Sequence, residues 1–140
     1  MSRAAVSRIA HLARFVAVGL AVVAMAWPNT GRTGDHALTG TPWHIAEVVG
    51  QRAPADAHIT FAQGKISGAA GCNRFFGALS VTTTELRIGP LMSTKMFCSG
   101  RMDAEQAVMA ALARVTSANR TGDVVELRDE TGAPLLRLVR

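Results

Sequence analysis

Cys72 and Cys98 are the two cysteines of the chain, and their sulfurs are the atoms most able to do covalent chemistry. Three fates are open to such a pair: a disulfide, a nucleophilic thiolate, or metal ligation. A thiolate needs a base, for which His44 or His58 has the right chemistry. Zinc needs two more ligands, and His44 and His58 lack the close spacing of paired zinc histidines. There is no C-x-x-C, so the dithiol redox motif is absent. Asp56, Glu85, Asp103, Glu105, Asp123 and Glu126 fall on expected turns, strand ends and a helix start, where carboxylates have structural reasons to be. The sequence carries no G-x-S-x-G, no H-E-x-x-H and no glycine-rich phosphate loop followed by Lys-Ser/Thr. These residues lead to the expectation of a non-enzymatic protein with no metal and no cofactor.

The compartment decides among the three fates, and the first residues bear on it. Arg3, Arg8 and Arg14 precede an apolar run, FVAVGLAVVAMA, over residues 15–26. As a helix that run spans about 18 Å, against about 30 Å of bilayer hydrocarbon, so it is short for an anchor. Ala24 and Ala26 then place small residues before Trp27-Pro28, the arrangement of a leader cut after Ala26. Residues 1–26 therefore predict a secretory signal peptide, with an uncleaved anchor as the alternative and no stable membrane span after cleavage. No cysteine stands at the cut for lipid attachment, and no adjacent arginine pair precedes the apolar run. The expected location is the periplasm or cell envelope, or the medium. In an oxidising compartment an isolated cysteine pair bridges, and closing this loop is worth about 3.5 kcal/mol on a chain-entropy estimate.

Lys+Arg 15 against Asp+Glu 10 gives a net charge of +5 and a pI near 10.6, which at first suggests an anionic polymer or membrane as partner. Without the three leader arginines, twelve bases face ten acids with both signs interspersed. Aromatics are 5% and tyrosine is absent, too few for the stacking platforms that hold single-stranded nucleic acid. No nucleic-acid partner is expected. A monomer that binds a protein or a small molecule is.

The elements that must position the cysteines follow from periodicity. Residues 27–38 are rich in Gly, Thr, Asn and Pro and show no apolar period, which reads as a flexible linker with His36 solvated. Over residues 39–140 most segments have strand length and are separated by turn residues. A strand begins at Trp43 and stops at Gly50, and residues 58–61 and 65–68 form a hairpin across Gly64. Residues 75–81 and 85–88 flank a threonine-rich turn, and residues 124–128 and 134–139 form a closing hairpin. One segment differs: in residues 103–115, Val108, Ala111, Leu112 and Val115 share a helical face. Asp103 as cap with Gln106 three residues on completes a capping-box pattern there. Trp43, Phe61, Phe75, Phe76, Leu86 and Leu112 are the expected core.

Five patterns in this order resemble the META domain family, the group that includes HslJ-type heat-shock proteins. They are Gly40-Thr41-Pro42-Trp43, Gly71-Cys72-Asn73-Arg74-Phe75-Phe76-Gly77, Ser93-Thr94-Lys95-Met96-Phe97-Cys98, Asp103-Ala104-Glu105-Gln106 and Asp129-Glu130-Thr131-Gly132. The resemblance spans about residues 38 to 140. It implies an α+β fold, a strongly curved antiparallel β-sheet or half-barrel wrapped around one short α-helix, and an association with envelope stress. It implies no catalytic residues.

In the cysteine region, Gly68, Gly71 and Gly77 are expected to supply backbone conformations closed to other residues, and Asn73 to shape a turn. A Cys72–Cys98 bridge would set Asn73 and Arg74 beside Thr94, Lys95 and Met96. Two roles follow for that rim: Arg74 and Lys95 hold an anion, or Asn73 and Thr94 satisfy backbone groups while both cations are solvated. For the whole protein the expectation is a non-catalytic exported stress module. The alternatives are a carrier holding a small apolar ligand between sheet and helix and, more remotely, a Cys72 thiol enzyme.

Overall fold

The computed structural model describes residues 38–40, 42–83 and 85–140; the expected leader, His36 and most of the expected linker lie outside the described residues. Along the chain come β1 (Trp43–Val48), β2 (Gln51–Arg52), β3 (His58–Ala62), β4 (Lys65–Ala69), β5 (Arg74–Val81), β6 (Leu86–Ile88), β7 (Met92–Ser93), α1 (Met102–Leu112), β8 (Ser117–Thr121), β9 (Val124–Arg128) and β10 (Pro134–Val139). All strand pairings are antiparallel, in the order β6-β5-β4-β3-β1-β10-β9-β8, with β2 on β1 and β7 on β5. The two ends approach each other, and the Leu86 amide donates to the Thr116 carbonyl at 2.9 Å. The result is the expected nearly closed half-barrel with one helix, which packs against β10 and β1.

Alternation decides what goes inside. In β3, Ile59 and Phe61 are buried while His58 and Ala62 are exposed; in β5, Phe75 and Leu79 are buried while Arg74, Phe76 and Ala78 are exposed. Phe76, expected in the core beside Phe75, is therefore on the outer face and 49% exposed, because successive residues of a strand face opposite ways. The other expected core residues are buried, and the helix contributes Val108, Ala111 and Leu112 with Val115 just beyond it. Leu38, at the end of the expected linker, belongs to the core at 1% exposure. The Trp43 indole donates to its carbonyl at 3.0 Å, and the guanidiniums of Arg140 and Arg120 lie 4.4 and 5.2 Å from the Trp43 ring.

Two details differ from expectation. The helix begins at Met102 with Arg101 in the cap position and no side-chain cap bond, so Asp103 is inside the first turn and the capping box does not form. The Arg101 side chain reaches instead to Asp56 and the Gly71 carbonyl. The strand β8, with sequence SANRT, carries no apolar alternation to announce it. It exists because the Gly122 turn, at φ +60°, folds it onto β9 over its whole length.

Candidate functional site

Cys72 and Cys98 form a disulfide with 6.0 Å between Cα atoms, closing a separation of 26 residues. No free cysteine remains among the described residues, so the thiol chemistry considered for Cys72 has no sulfur to work with in the oxidised chain. His44 is exposed on β1, and the His58 ring pairs with the Asp56 carbonyl at 3.0 Å. Bridges of this kind persist in non-reducing compartments.

Beside the bridge lies a polar side chain with every hydrogen-bonding site in use. Asn73 is 2% exposed. Its Oδ1 accepts from the Met96 amide and the Thr94 hydroxyl, both at 2.7 Å. Its Nδ2 donates to the Met96 carbonyl at 3.0 Å and to the Glu105 carboxylate at 2.9 and 3.1 Å. The Asn73 amide donates to Glu105 Oε2 at 3.0 Å, and the Arg74 amide to Thr94 Oγ1 at 3.2 Å. Asn73 thereby ties β5, residues 94–96 and the first turn of α1 into one unit. Glu105 is buried at 7% exposure and has no ion-pair partner among the described residues. The three Asn73 bonds and the positive end of the helix offset its desolvation.

The structure brings together the four rim residues expected from sequence. The Thr94 amide donates to the Arg74 carbonyl at 3.0 Å, so Asn73, Arg74, Thr94 and Lys95 adjoin. Asn73 and Thr94 are committed to backbone groups; Arg74 and Lys95 are exposed. Sequence reasoning missed Glu105 as the partner of Asn73 and Arg101 as the strap that crosses to Asp56 at 2.7 Å and the Gly71 carbonyl at 3.0 Å. The Arg101 guanidinium holds the Asp56 carboxyl below its ordinary value. The one available signal was the acidic helix start shared by the family pattern. The glycines divide by role: Gly71 has φ +117°, whereas Gly68 is needed for space, since a Cβ there would lie 2.1 Å from the His58 carbonyl oxygen.

Four large apolar side chains are exposed around this corner. Phe76 and Met92 are register partners across β5 and β7, and they are 49% and 58% exposed. Met96 and Phe97, next to the bridge, are 58% and 83% exposed. A shallow depression of about 390 Å³ runs beside Phe76, between Arg74, His58 and Thr60. A second, of about 490 Å³, lies between the β6–β7 connection, Met109 of α1 and Ala113 just after the helix. Among the described residues no group of His, Cys, Asp and Glu is arranged to hold a metal, and no helix is long and apolar enough to cross a membrane.

The second motif corner closes β9 onto β10. Asp129 Oδ1 accepts from the Thr131 hydroxyl at 2.6 Å and from the amides of Thr131 and Ala133 at 3.0 Å. Its Oδ2 accepts from Arg114 at 2.9 Å. The Thr131 bonds, first among these, hold the Asp129 carboxyl below its ordinary value.

Among the described residues, a half-barrel around one helix, with one disulfide-tied corner and one aspartate-tied hairpin, defines a small β-rich module. The META domain family model matches residues 36–140, and the chain belongs to that family. Three solved structures share the fold. An NMR structure of a protein from Burkholderia xenovorans matches at 23% identity and TM-score 0.56, over 76% of this chain and 85% of that one. A second NMR structure matches at 20% identity and TM-score 0.61, over 76% and 94%. The crystal structure of a DUF4847 family protein from Bacteroides vulgatus matches at 14% identity and TM-score 0.59, over 75% and 95%. No curated protein matches.

Proposed function

We propose that this chain is a non-catalytic binding module of the exported cell envelope, acting under stress as a monomer that takes its partner on the disulfide-tied corner. One observation carries the reading: Asn73 and the bridge fix a segment whose large side chains, Met96 at 58% and Phe97 at 83% exposure, contribute little to the core. Fixing exposed apolar side chains costs conformational entropy and gains no burial within the monomer, and an exposed apolar patch on a folded domain marks an interaction surface. Export supports the bridge, through the leader expected at residues 1–26, and the bridge supports export.

The experiment is complementation. In a strain lacking this chain, Met96→Ser/Phe97→Ser is compared with the parent for survival of heat and envelope stress, with the thermal midpoint measured in parallel. The reading expects an unchanged midpoint and lost complementation. Full complementation by the folded variant overturns it.

A further inference from the structure

We infer that the partner on this corner is an extended polypeptide segment that adds to the free edge of β7, with apolar side chains for the Phe76–Met92 face and carboxylates for the cations around it. The inference rests on the binding reading above and names its partner class.

The edge comes first. β5 is bonded to β4 along one side, and its other side is shared between β6 and β7. Arg74 and Thr94 are a hydrogen-bonded pair, so Phe75 and Ser93 form the next, non-bonded pair of the antiparallel ladder. The amide and carbonyl of Ser93 consequently face away from β5. Lys95 lies two residues further, between Thr94 and Met96, whose amides are taken by Arg74 and Asn73. Ser93 and Lys95 thus present an edge with no backbone partner among the described residues. Such an edge is a template for another strand.

Charge and composition then choose the occupant. The outward positions of β3, β4, β5 and β7 include His58, Lys65 and Arg74 but no acid. Of the carboxylates at this corner, Glu105 is buried on Asn73 and Asp56 is held by Arg101 at 2.7 Å. Arg74, Lys65 and Lys95 have no ion-pair partner among the described residues, whereas Arg87, Arg114, Arg128 and Arg137 each have one. A second copy of this chain would set Lys95 and Arg74 against themselves, which disfavours self-pairing. A bilayer offers anionic headgroups but would leave the Ser93 and Lys95 backbone groups unpaired in an apolar medium, a costly arrangement. Phe, Met and Arg around an open edge are the composition of a protein interface.

The test uses the oxidised full chain, labelled with 15N, and three probes: a synthetic peptide alternating Val or Phe with Glu, the same peptide with Lys for Glu, and vesicles of anionic phospholipid. The expected result is saturable binding of the acidic peptide, amide exchange at Ser93 and Lys95 slowed at least tenfold, and binding of the basic peptide at least tenfold weaker. Phe76→Ser weakens the acidic peptide at least fivefold with an unchanged thermal midpoint. Binding without slowed exchange at Ser93 and Lys95, equal binding of both peptides, or binding of the vesicles alone overturns strand addition. If complementation still depends on Met96 and Phe97 in that event, the binding surface stands and only its partner class falls. If neither dependence appears, both readings fall.

Discussion

Two corners of this molecule use the same device to different ends. At each, one buried polar side chain takes hydrogen bonds from the backbone of a neighbouring turn: Asn73 from Met96, and Asp129 from Thr131 and Ala133. Each is also tied to α1 or the turn after it, Asn73 through Glu105 and Asp129 through Arg114. The Asp129 corner closes a hairpin whose exposed residues are polar or small, Glu130, Thr131 and Gly132. The Asn73 corner adds a disulfide and turns Met96 and Phe97 outward. A hairpin needs only the first arrangement. The extra covalent tie at the second corner holds residues that the fold itself does not bury, which is what the proposed binding surface requires.

Breaking the covalent tie separates the corners most sharply. The Cys72→Ser/Cys98→Ser chain is expected to lose about 3.5 kcal/mol on the chain-entropy estimate. At about 4–8 °C per kcal/mol for a domain of this size, calorimetry should show a fall in the thermal midpoint of roughly 15–25 °C. Next in size is Asn73→Ala, which strips partners from the Met96 amide and carbonyl and takes the Nδ2 bonds from the buried Glu105 carboxylate, leaving it the backbone amide of residue 73. A loss of about 3 kcal/mol in denaturant unfolding is expected, because unsatisfied buried groups carry their full desolvation cost.

Asp129→Asn is expected to be milder, because the amide oxygen can still accept from Thr131 and Ala133 while the charge facing Arg114 is lost. Its signature is a pH dependence. The folded Asp129 carboxyl sits below its ordinary value of 3.8, so its contribution is complete above that value and is lost as pH falls through the lowered one. The difference in thermal midpoint between parent and variant should therefore shrink between about pH 5 and pH 2. A gap that widens on acidification contradicts this account of the hairpin. The smallest effect on stability belongs to Phe97→Ser, expected within about 0.5 kcal/mol of the parent. A large loss there would show that Phe97 serves the fold and that the two corners differ less than argued.

Much of this was legible in the sequence because strand alternation and turn glycines are local. The three hairpins, the single helical stripe from Val108 to Val115 and the outline of the META pattern all correspond to the structure. The misses are non-local. Phe75-Phe76 reads as one apolar pair, and only the register places Phe76 outside. The polar strand Ser117–Thr121 has no pattern of its own and is held through its pairing with β9. Glu105 looked like an ordinary helix-start acid, since its bond to Asn73 crosses 32 residues of chain. Arg101 fills the cap position expected for Asp103, because its side chain is held by Asp56 and Gly71.

Amide hydrogen exchange on the oxidised chain tests the central claim, a rigid segment with an open outer edge, most directly. The account predicts strong protection at the Met96 amide, bonded to the Asn73 side chain, beside fast exchange at Ser93 and Lys95. Equally fast exchange at all three would mean that Asn73 and the bridge do not hold this segment. Protection at all three in the free chain would mean that the edge is already occupied, and the binding surface would have to be sought elsewhere.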